Sequence, residues 1–296
     1  KLEIPNLKKK ILKFLNWFSE YNIVPKGMAL KLVLLSSKSF RIFDDNFYED
    51  YLKSSQSNSI KLTTEQKKVL NQINDSNKKF NVHVLQGTTG SGKTLVYFEA
   101  LKPIIKQGFQ GLILLPEIGL TGQFEQKFVE YFGFNPAVWH SGISKKKKEI
   151  IWNGISNGKI QVIIGARSSL FLPFKKLGIL IVDEEHDQSY KQDEGVIYNA
   201  RDMAIARANF ESIPINLVTA VPSIETYANI KNNKYSSSRL INRYKEASLP
   251  TYEIIDLKKN KLSKKSWISL ETVNQVKKHL KFGNQILFFI NRRGFA

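Results

Sequence analysis

Residues Phe80–Thr94 read FNVHVLQGTTGSGKT, and this stretch constrains the fold more than any other. It opens as a short apolar run and closes in Gly87-Thr88-Thr89-Gly90-Ser91-Gly92-Lys93-Thr94, a full match to G-x-x-x-x-G-K-[ST]. Val82, Val84 and Leu85 read as a buried strand, and Leu95–Lys106 carries apolar residues at helical spacing. The glycines allow a turn in which successive N–H groups point inward at a phosphate chain. The following helix adds its positive dipole end. Lys93 is placed to reach the β- and γ-phosphates, and the Thr94 hydroxyl to ligate Mg²⁺. A Gly/Ser-rich turn with a chance lysine would not need a strand before it and a helix after it.

The remainder of the chain alternates in the same way. The spacing predicts strands over Asn81–Gln86, Gly111–Leu115, Ala137–Trp139, Ile160–Ile164, Leu177–Val182 and Ile215–Thr219. Helices are predicted over Lys93–Gln107, Leu120–Tyr131, Ser144–Asn157, Ala200–Phe210 and Ser223–Lys231. Apolar strands alternating with helices argue for an α/β fold with a mostly parallel sheet covered on both faces. Thr63 or Thr64 can cap a helix running to about Asn74. Upstream, residues 1–35 are basic and helical, with Ile11, Leu12, Leu15, Phe18 and Tyr21 close to one face. They read as an accessory segment. Residues 36–61 lack a clear period and read as a linker, with a short helix possible at Asn46–Lys53. Residues 62–235 form the main lobe. Residues 236–296 read as the start of a second one, with strands at Tyr252–Leu257 and Gln285–Ile290 around a helix over Trp267–Lys281. An ending one loop after an apolar run, and a start at Lys1 rather than Met, lead us to expect a fragment open at both ends.

Leu177–Val182 runs directly into Asp183-Glu184-Glu185-His186. An acid at a strand end can hold Mg²⁺, and a neighbouring Glu can activate a water. We assign Asp183 and Glu184 to these roles. Both this acidic turn and the glycine-rich one lie at carboxyl ends of predicted parallel strands, where doubly wound sheets place ligands. Asp-Glu-x-His is a helicase-like ending, and no Asn-Lys-x-Asp guanine signature appears. His186 then either couples the γ-phosphate to a nucleic-acid side or is a satisfied structural histidine.

Composition decides less. The chain has 296 residues, 42% hydrophobic, and no cysteine. It therefore carries no disulfide and no Cys-ligated metal, and no apolar run is long enough to suggest a membrane span. The formal net charge of +19 fits a nucleic-acid footprint. It also fits the heavy use of Lys, Asn and Ile throughout.

The motifs resemble those of the primosomal protein N-prime family, bacterial replication-restart DNA helicases of superfamily two. The likeness covers most of the chain. It includes the glycine-rich loop, Leu115-Pro116-Glu117-Ile118-Gly119-Leu120-Thr121 and Trp139-His140-Ser141-Gly142. It continues through Gly165-Ala166-Arg167-Ser168-Ser169-Leu170-Phe171, Val182–Asp187 with Ser189-Tyr190-Lys191-Gln192, and Tyr198-Asn199-Ala200-Arg201-Asp202. It ends with Pro222-Ser223-Ile224-Glu225 and Asn291-Arg292-Arg293-Gly294-Phe295-Ala296. Phe14–Leu35 is similar to the family's winged-helix segment.

The resemblance implies a RecA-like P-loop NTPase lobe, preceded by a partial winged-helix segment and followed by the start of a second RecA-like lobe. It implies ATP and Mg²⁺ as cofactors, with Gln66 near the adenine and residues 87–94 around the phosphates. An arginine finger from the second lobe, worth about 10³–10⁵ in rate, would complete the site. The family's paired-cysteine zinc region would follow Ala296, so zinc is expected only there. Forked DNA with single- and double-stranded parts, primosome proteins and single-strand-binding proteins are the implied partners. No membrane is implied, and the location is cytoplasmic. Two departures stand out. The third motif, usually Gly-Ser-Ala-Thr-Pro-Ser, here reads Val218-Thr219-Ala220-Val221-Pro222-Ser223, and Val221 lacks the hydroxyl that would bond the acid motif. Gly122 replaces a proline.

The nucleic-acid track is expected across the carboxyl-end loops. Thr121, Arg167 and Ser168 are candidates for phosphate contact. Tyr190, Lys191, Tyr198 and Arg201 form an aromatic-basic loop that either stacks bases or packs against its own lobe. Lys145–Lys148 reads as a solvated helix face. Two other classes share parts of the pattern: an ATP-regulated or inactive DNA-binding scaffold, which would not need Lys93 or Glu184, and a small-molecule kinase, which would not need the Arg167-Ser168 and Tyr190-Lys191 segments.

Overall fold

The computed structural model describes residues 7–34, 43–51, 61–76, 79–116, 119, 122–243, 251–259, 262 and 266–289. The chain divides into two units, Lys1–Ala247 and Ser248–Ala296.

The first unit is built on a seven-stranded sheet in which every pairing is parallel. Its strands are β1 (Val82–Gly87), β2 (Gln110–Leu114), β3 (Ala137–Trp139), β4 (Val162–Gly165), β5 (Leu177–Val182), β8 (Ile215–Thr219) and β9 (Ser236–Leu240). Their spatial order is β3-β4-β2-β5-β8-β1-β9. A two-stranded antiparallel ribbon, β6 (Lys191–Gln192) with β7 (Tyr198–Asn199), stands apart. Strands β2 and β5 are buried along their whole length, as continuous apolar runs in a covered parallel sheet should be.

The two faces bury different sets. One packs α3 (Thr64–Ser76), α4 (Lys93–Lys106) and α5 (Gly122–Phe132) through Val69, Ile73, Val96, Leu101 and the ring cluster Phe98–Phe128–Phe132. The other packs α1 (Lys9–Tyr21), α2 (Lys26–Val33), α6 (Lys145–Asn157) and α7 (Ala200–Glu211). The short α8 (Ile224–Lys231) follows β8. Parallel strands need crossovers that return over a face, and the helices between them provide these.

Two expectations are corrected. The described part of the expected accessory segment 1–35, residues 7–34, does not stand apart. Phe14 and Phe18 are fully buried against the first unit, with Phe18 5.1 Å from Phe171 and 5.6 Å from Tyr198 between ring centroids. Helix α2 is tied in as well: Trp152 Nε1 of α6 donates to Val33 O at 2.8 Å. The apolar stripe of α1 therefore closes the same core as the sheet. Within the expected linker 36–61, the short helix expected at Asn46–Lys53 is present as a 3₁₀ helix at Asp45–Tyr51, whose buried Tyr48 fills the space beside Gly154 of α6. Finally, the lobe does not end at 235. Strand β9 pairs with β1 from His83↔Ser236 to Gly87↔Leu240 and belongs to the first sheet.

The second unit holds α9 (Leu270–Lys281), capped by Ser269 Oγ accepting from Thr272 N. The strand expected at Tyr252–Leu257 does not form, and 285–289 is likewise irregular. A strand exists only by sharing backbone hydrogen bonds with a neighbour, and no neighbour lies beside these segments among the described residues. Leu287 and Phe289 are accordingly 91% and 88% exposed.

Candidate functional site

Strand β1 delivers the chain to Gly87, and α4 starts six residues later at Lys93. The turn between needs φ of +83° at Gly90 and +84° at Gly92, a region that favours glycine. Gly87 is required for a different reason. A Cβ there would lie 2.6 Å from Ser91 Oγ and 3.1 Å from Leu240 Cβ. Thr88, Thr89 and Gly90 are exposed at the rim, while Ser91 and Lys93 are buried. Lys93 Nζ donates to Gly87 O at 2.8 Å. Ser91 Oγ is buried with no hydrogen-bond partner. A donor-rich loop with an orphaned buried hydroxyl fits a phosphate chain.

Gln66 lies where α3 meets this loop. Its Oε1 accepts from Thr63 N at 3.0 Å, and its Nε2 donates to Ser91 O at 3.2 Å. The Gln66 amide thus fastens the loop to α3 and also lines the cavity above it. That cavity, about 510 Å³, is walled by the loop, by Leu95 and Phe98 of α4, by Lys127, Glu130 and Tyr131 of α5, and by Asp183 and Glu184.

The acidic turn enters from β5, two strands away. Asp183 Oδ2 accepts from Tyr97 Oη at 2.9 Å and Oδ1 from Glu184 N at 3.0 Å. Burial, and next the Glu184 carboxylate, push the Asp183 carboxyl up to about 6. A divalent cation would relieve both effects, so these residues fit Mg²⁺. Thr94, at the start of α4, and Asp183 are the groups that would hold it. Glu184 adopts φ +47°, an uncommon value for a residue with a side chain. This turn aims its carboxylate at the cavity: Oε1 is 4.0 Å from Lys93 Nζ, and Oε2 is 3.7 Å from His186 Nδ1. The glycine-rich loop and the carboxylate pair therefore share one cavity.

The third motif reaches the acidic turn by other hydroxyls than expected. Val221 is 69% exposed and plays no part. Thr219 Oγ1 instead lies 2.7 Å from His186 Nδ1 and donates to Val221 O at 2.8 Å. Ser223 binds Glu185 through both N, at 2.8 Å, and Oγ, at 3.1 Å. Sequence reasoning gave Glu185 no role. It is 1% exposed and also accepts from Thr226 Oγ1 and Arg201 Nη1. Three acids in a row at a strand end cannot all face solvent, and that was the available sign.

The expected nucleic-acid residues divide. Thr121 lies outside the described residues. Three others are corrected, because they are committed to packing. Tyr190 is 1% exposed, and its hydroxyl donates to Leu114 O and Asp183 O. Tyr198 is buried edge-on against Phe18 and Phe171. Arg201 is buried with Glu185, Asp202 and Ser223 as partners. None of the three can stack a base without leaving the core. Ser168 and Lys191 are exposed, and Arg167 Nη1 donates to Lys191 O, joining the two loops. Ser168 Oγ accepts from Trp139 Nε1 at 3.1 Å.

Fold and site together define a P-loop nucleotide lobe of the helicase type. The chain belongs to the DEAD/DEAH box helicase family, whose sequence profile matches residues 54–230. It is similar to the replication restart protein PriA of Rickettsia conorii, at 43% identity over 294 residues, or 98% of this chain and 44% of that protein. It is also similar to the replication restart protein PriA of Bacillus subtilis, at 32% identity over 89% of this chain and 33% of that protein. Among solved structures, RecG bound to a three-way DNA junction overlaps 78% of this chain and 29% of that one, at 22% identity and a TM-score of 0.48. The family match and the curated relatives bear out the resemblance read from the motifs. The chain spans less than half the length of the curated relatives it matches. Among the described residues, no helix is long and apolar enough to cross a membrane.

Proposed function

We propose that this chain carries the ATP-binding lobe of a 3′–5′ DNA helicase that couples hydrolysis to unwinding at stalled replication forks. The observation that supports it is the shared cavity of Lys93, Asp183 and Glu184 over a glycine-rich loop at a helix start. The backbone N–H groups of 88–94 bind the phosphate chain. Lys93 exchanges Gly87 O for the β- and γ-phosphates and balances their charge. Thr94 and Asp183 would hold Mg²⁺, which when bound would supply positive charge for the phosphate oxygens. Glu184 orients the attacking water and takes its proton. His186 carries the state of that carboxylate to Thr219 and the third motif. Arg167, Ser168 and Lys191 meet DNA phosphates on the adjacent loops.

The wider reading follows the resemblance: a cytoplasmic protein whose partners are forked DNA, primosome proteins and single-strand-binding proteins, with zinc in a region beyond these residues. Binding of a fluorescent ATP analogue tests the core of it. Wild-type chain binds in the presence of Mg²⁺, single-stranded DNA raises hydrolysis, and Lys93→Ala abolishes binding. Equal binding by Lys93→Ala would sink the proposal.

A further inference from the structure

Tyr97 lies one turn into α4 and is fully buried. A buried tyrosine needs some partner for its hydroxyl, and any carbonyl would serve. This one donates instead to Asp183 Oδ2, at 2.9 Å. The phenol has a single proton, and Asp183 takes it. Thr94 lies three residues earlier on the same helix.

The direction of this bond matters. The Tyr97 proton fixes one oxygen of the Asp183 carboxylate while Glu184 N fixes the other. One phenol, on the helix that begins with Lys93 and Thr94, thus orients the acid assigned to the metal. Neither the glycine-rich motif nor the acidic motif includes it.

We propose that Tyr97 is a positioning residue for the divalent cation, orienting the Asp183 carboxylate through its buried hydroxyl. The inference rests on the proposed nucleotide reading of the same cavity. It concerns metal affinity and not phosphate binding, so the two can fail separately.

The test is a Mg²⁺ titration of ADP-loaded chain, repeated with Mn²⁺ and read by electron paramagnetic resonance. Tyr97→Phe removes one oxygen and keeps the ring. It should bind nucleotide in EDTA as wild type does, yet need roughly 10-fold or more metal for half-saturation, the scale typical of lost outer ligand contacts. The metal-dependent part of the rise in melting temperature should shrink in parallel. In an Asp183→Asn background, Tyr97→Phe should shift the midpoint no further. A variant that melts earlier but keeps the wild-type midpoint overturns the inference, leaving Tyr97 a packing residue. Full nucleotide binding in EDTA by Lys93→Ala would instead sink the underlying nucleotide reading.

Discussion

Glu185 and Arg201 form a buried ion pair, with Nη1 3.3 Å from Oε2 and side chains 0% and 9% exposed. It joins the acidic turn after β5 to the first turn of α7. Ser223 and Thr226 complete the Glu185 shell from the start of α8. Removing Arg201 leaves Glu185 buried without a counter-charge, whereas removing Glu185 leaves Arg201 paired with Asp202. Arg201→Ala should cost about 3–5 kcal/mol in urea unfolding, Glu185→Ala less, and the double variant less than the sum. Additive losses would mean that the pair does not act as a unit.

Glu184→Gln separates binding from chemistry. Its backbone turn and its distance from the phosphate loop remain, so nucleotide affinity should stay near wild type. Hydrolysis should fall by about 10²–10⁴, the usual contribution of a positioned base. Single-turnover measurement with labelled ATP reads both quantities. The wild-type rate of residues 1–296 should itself be low, since the family's arginine finger comes from a second lobe.

The two loops joined by the Arg167–Lys191 contact give a contrasting pair of outcomes. Lys191→Ala should weaken single-stranded DNA binding and lower the salt dependence by about one counterion. Tyr198→Ala should leave that slope alone and cost about 3–5 kcal/mol of stability, because its ring fills the space between Phe18 and Phe171. Fluorescence anisotropy across a salt series, with melting curves, distinguishes them.

His83 gives a pH signature. It is buried beneath β9, with Nδ1 2.9 Å from Ser236 Oγ and Nε2 2.8 Å from Ser238 Oγ. Burial lowers its folded value from 6.5 to about 4. Its contribution is therefore complete above pH 6.5 and is lost as pH falls toward 4, by up to about 3 kcal/mol. Asp183 acts in the opposite sense. Its folded value is raised from 3.8 to about 6, so the folded state gains relative stability as pH falls through that window. Comparing His83→Gln with wild type isolates the first effect. The urea midpoint of the variant should fall less steeply between pH 6.5 and 4.5.

The sheet and both halves of the nucleotide site were legible because each carries a local pattern. β2 and β5 are uninterrupted apolar runs, and the glycines at 90 and 92 mark positive φ. Strand β9 escaped notice because Ser236-Ser237-Ser238-Arg239-Leu240 has no such run. It is held by backbone pairing with β1 and by hydroxyls that meet His83 across the sheet. The roles of Tyr190, Tyr198 and Arg201 were misjudged for a related reason. Aromatic and basic residues beside a site look alike in sequence whether they face out or in. What holds them inward lies elsewhere in the chain: Phe18 of α1 for Tyr198, Leu114 O for Tyr190, and Glu185 and Ser223 for Arg201. Tyr97 was equally hidden, because its spacing in α4 reads as ordinary core.

Strand β9 has a practical consequence for anyone trimming this polypeptide. Leu240 presses on Gly87, and the N–H groups of Ile241 and Asn242 reach the Glu65 carboxylate, next door to Gln66. A shorter version cut after α8 would strip the outer border from β1 and loosen the grip of α3 on the glycine-rich turn. The smallest working piece must run through at least Asn242, although residues 236–242 line no part of the cavity.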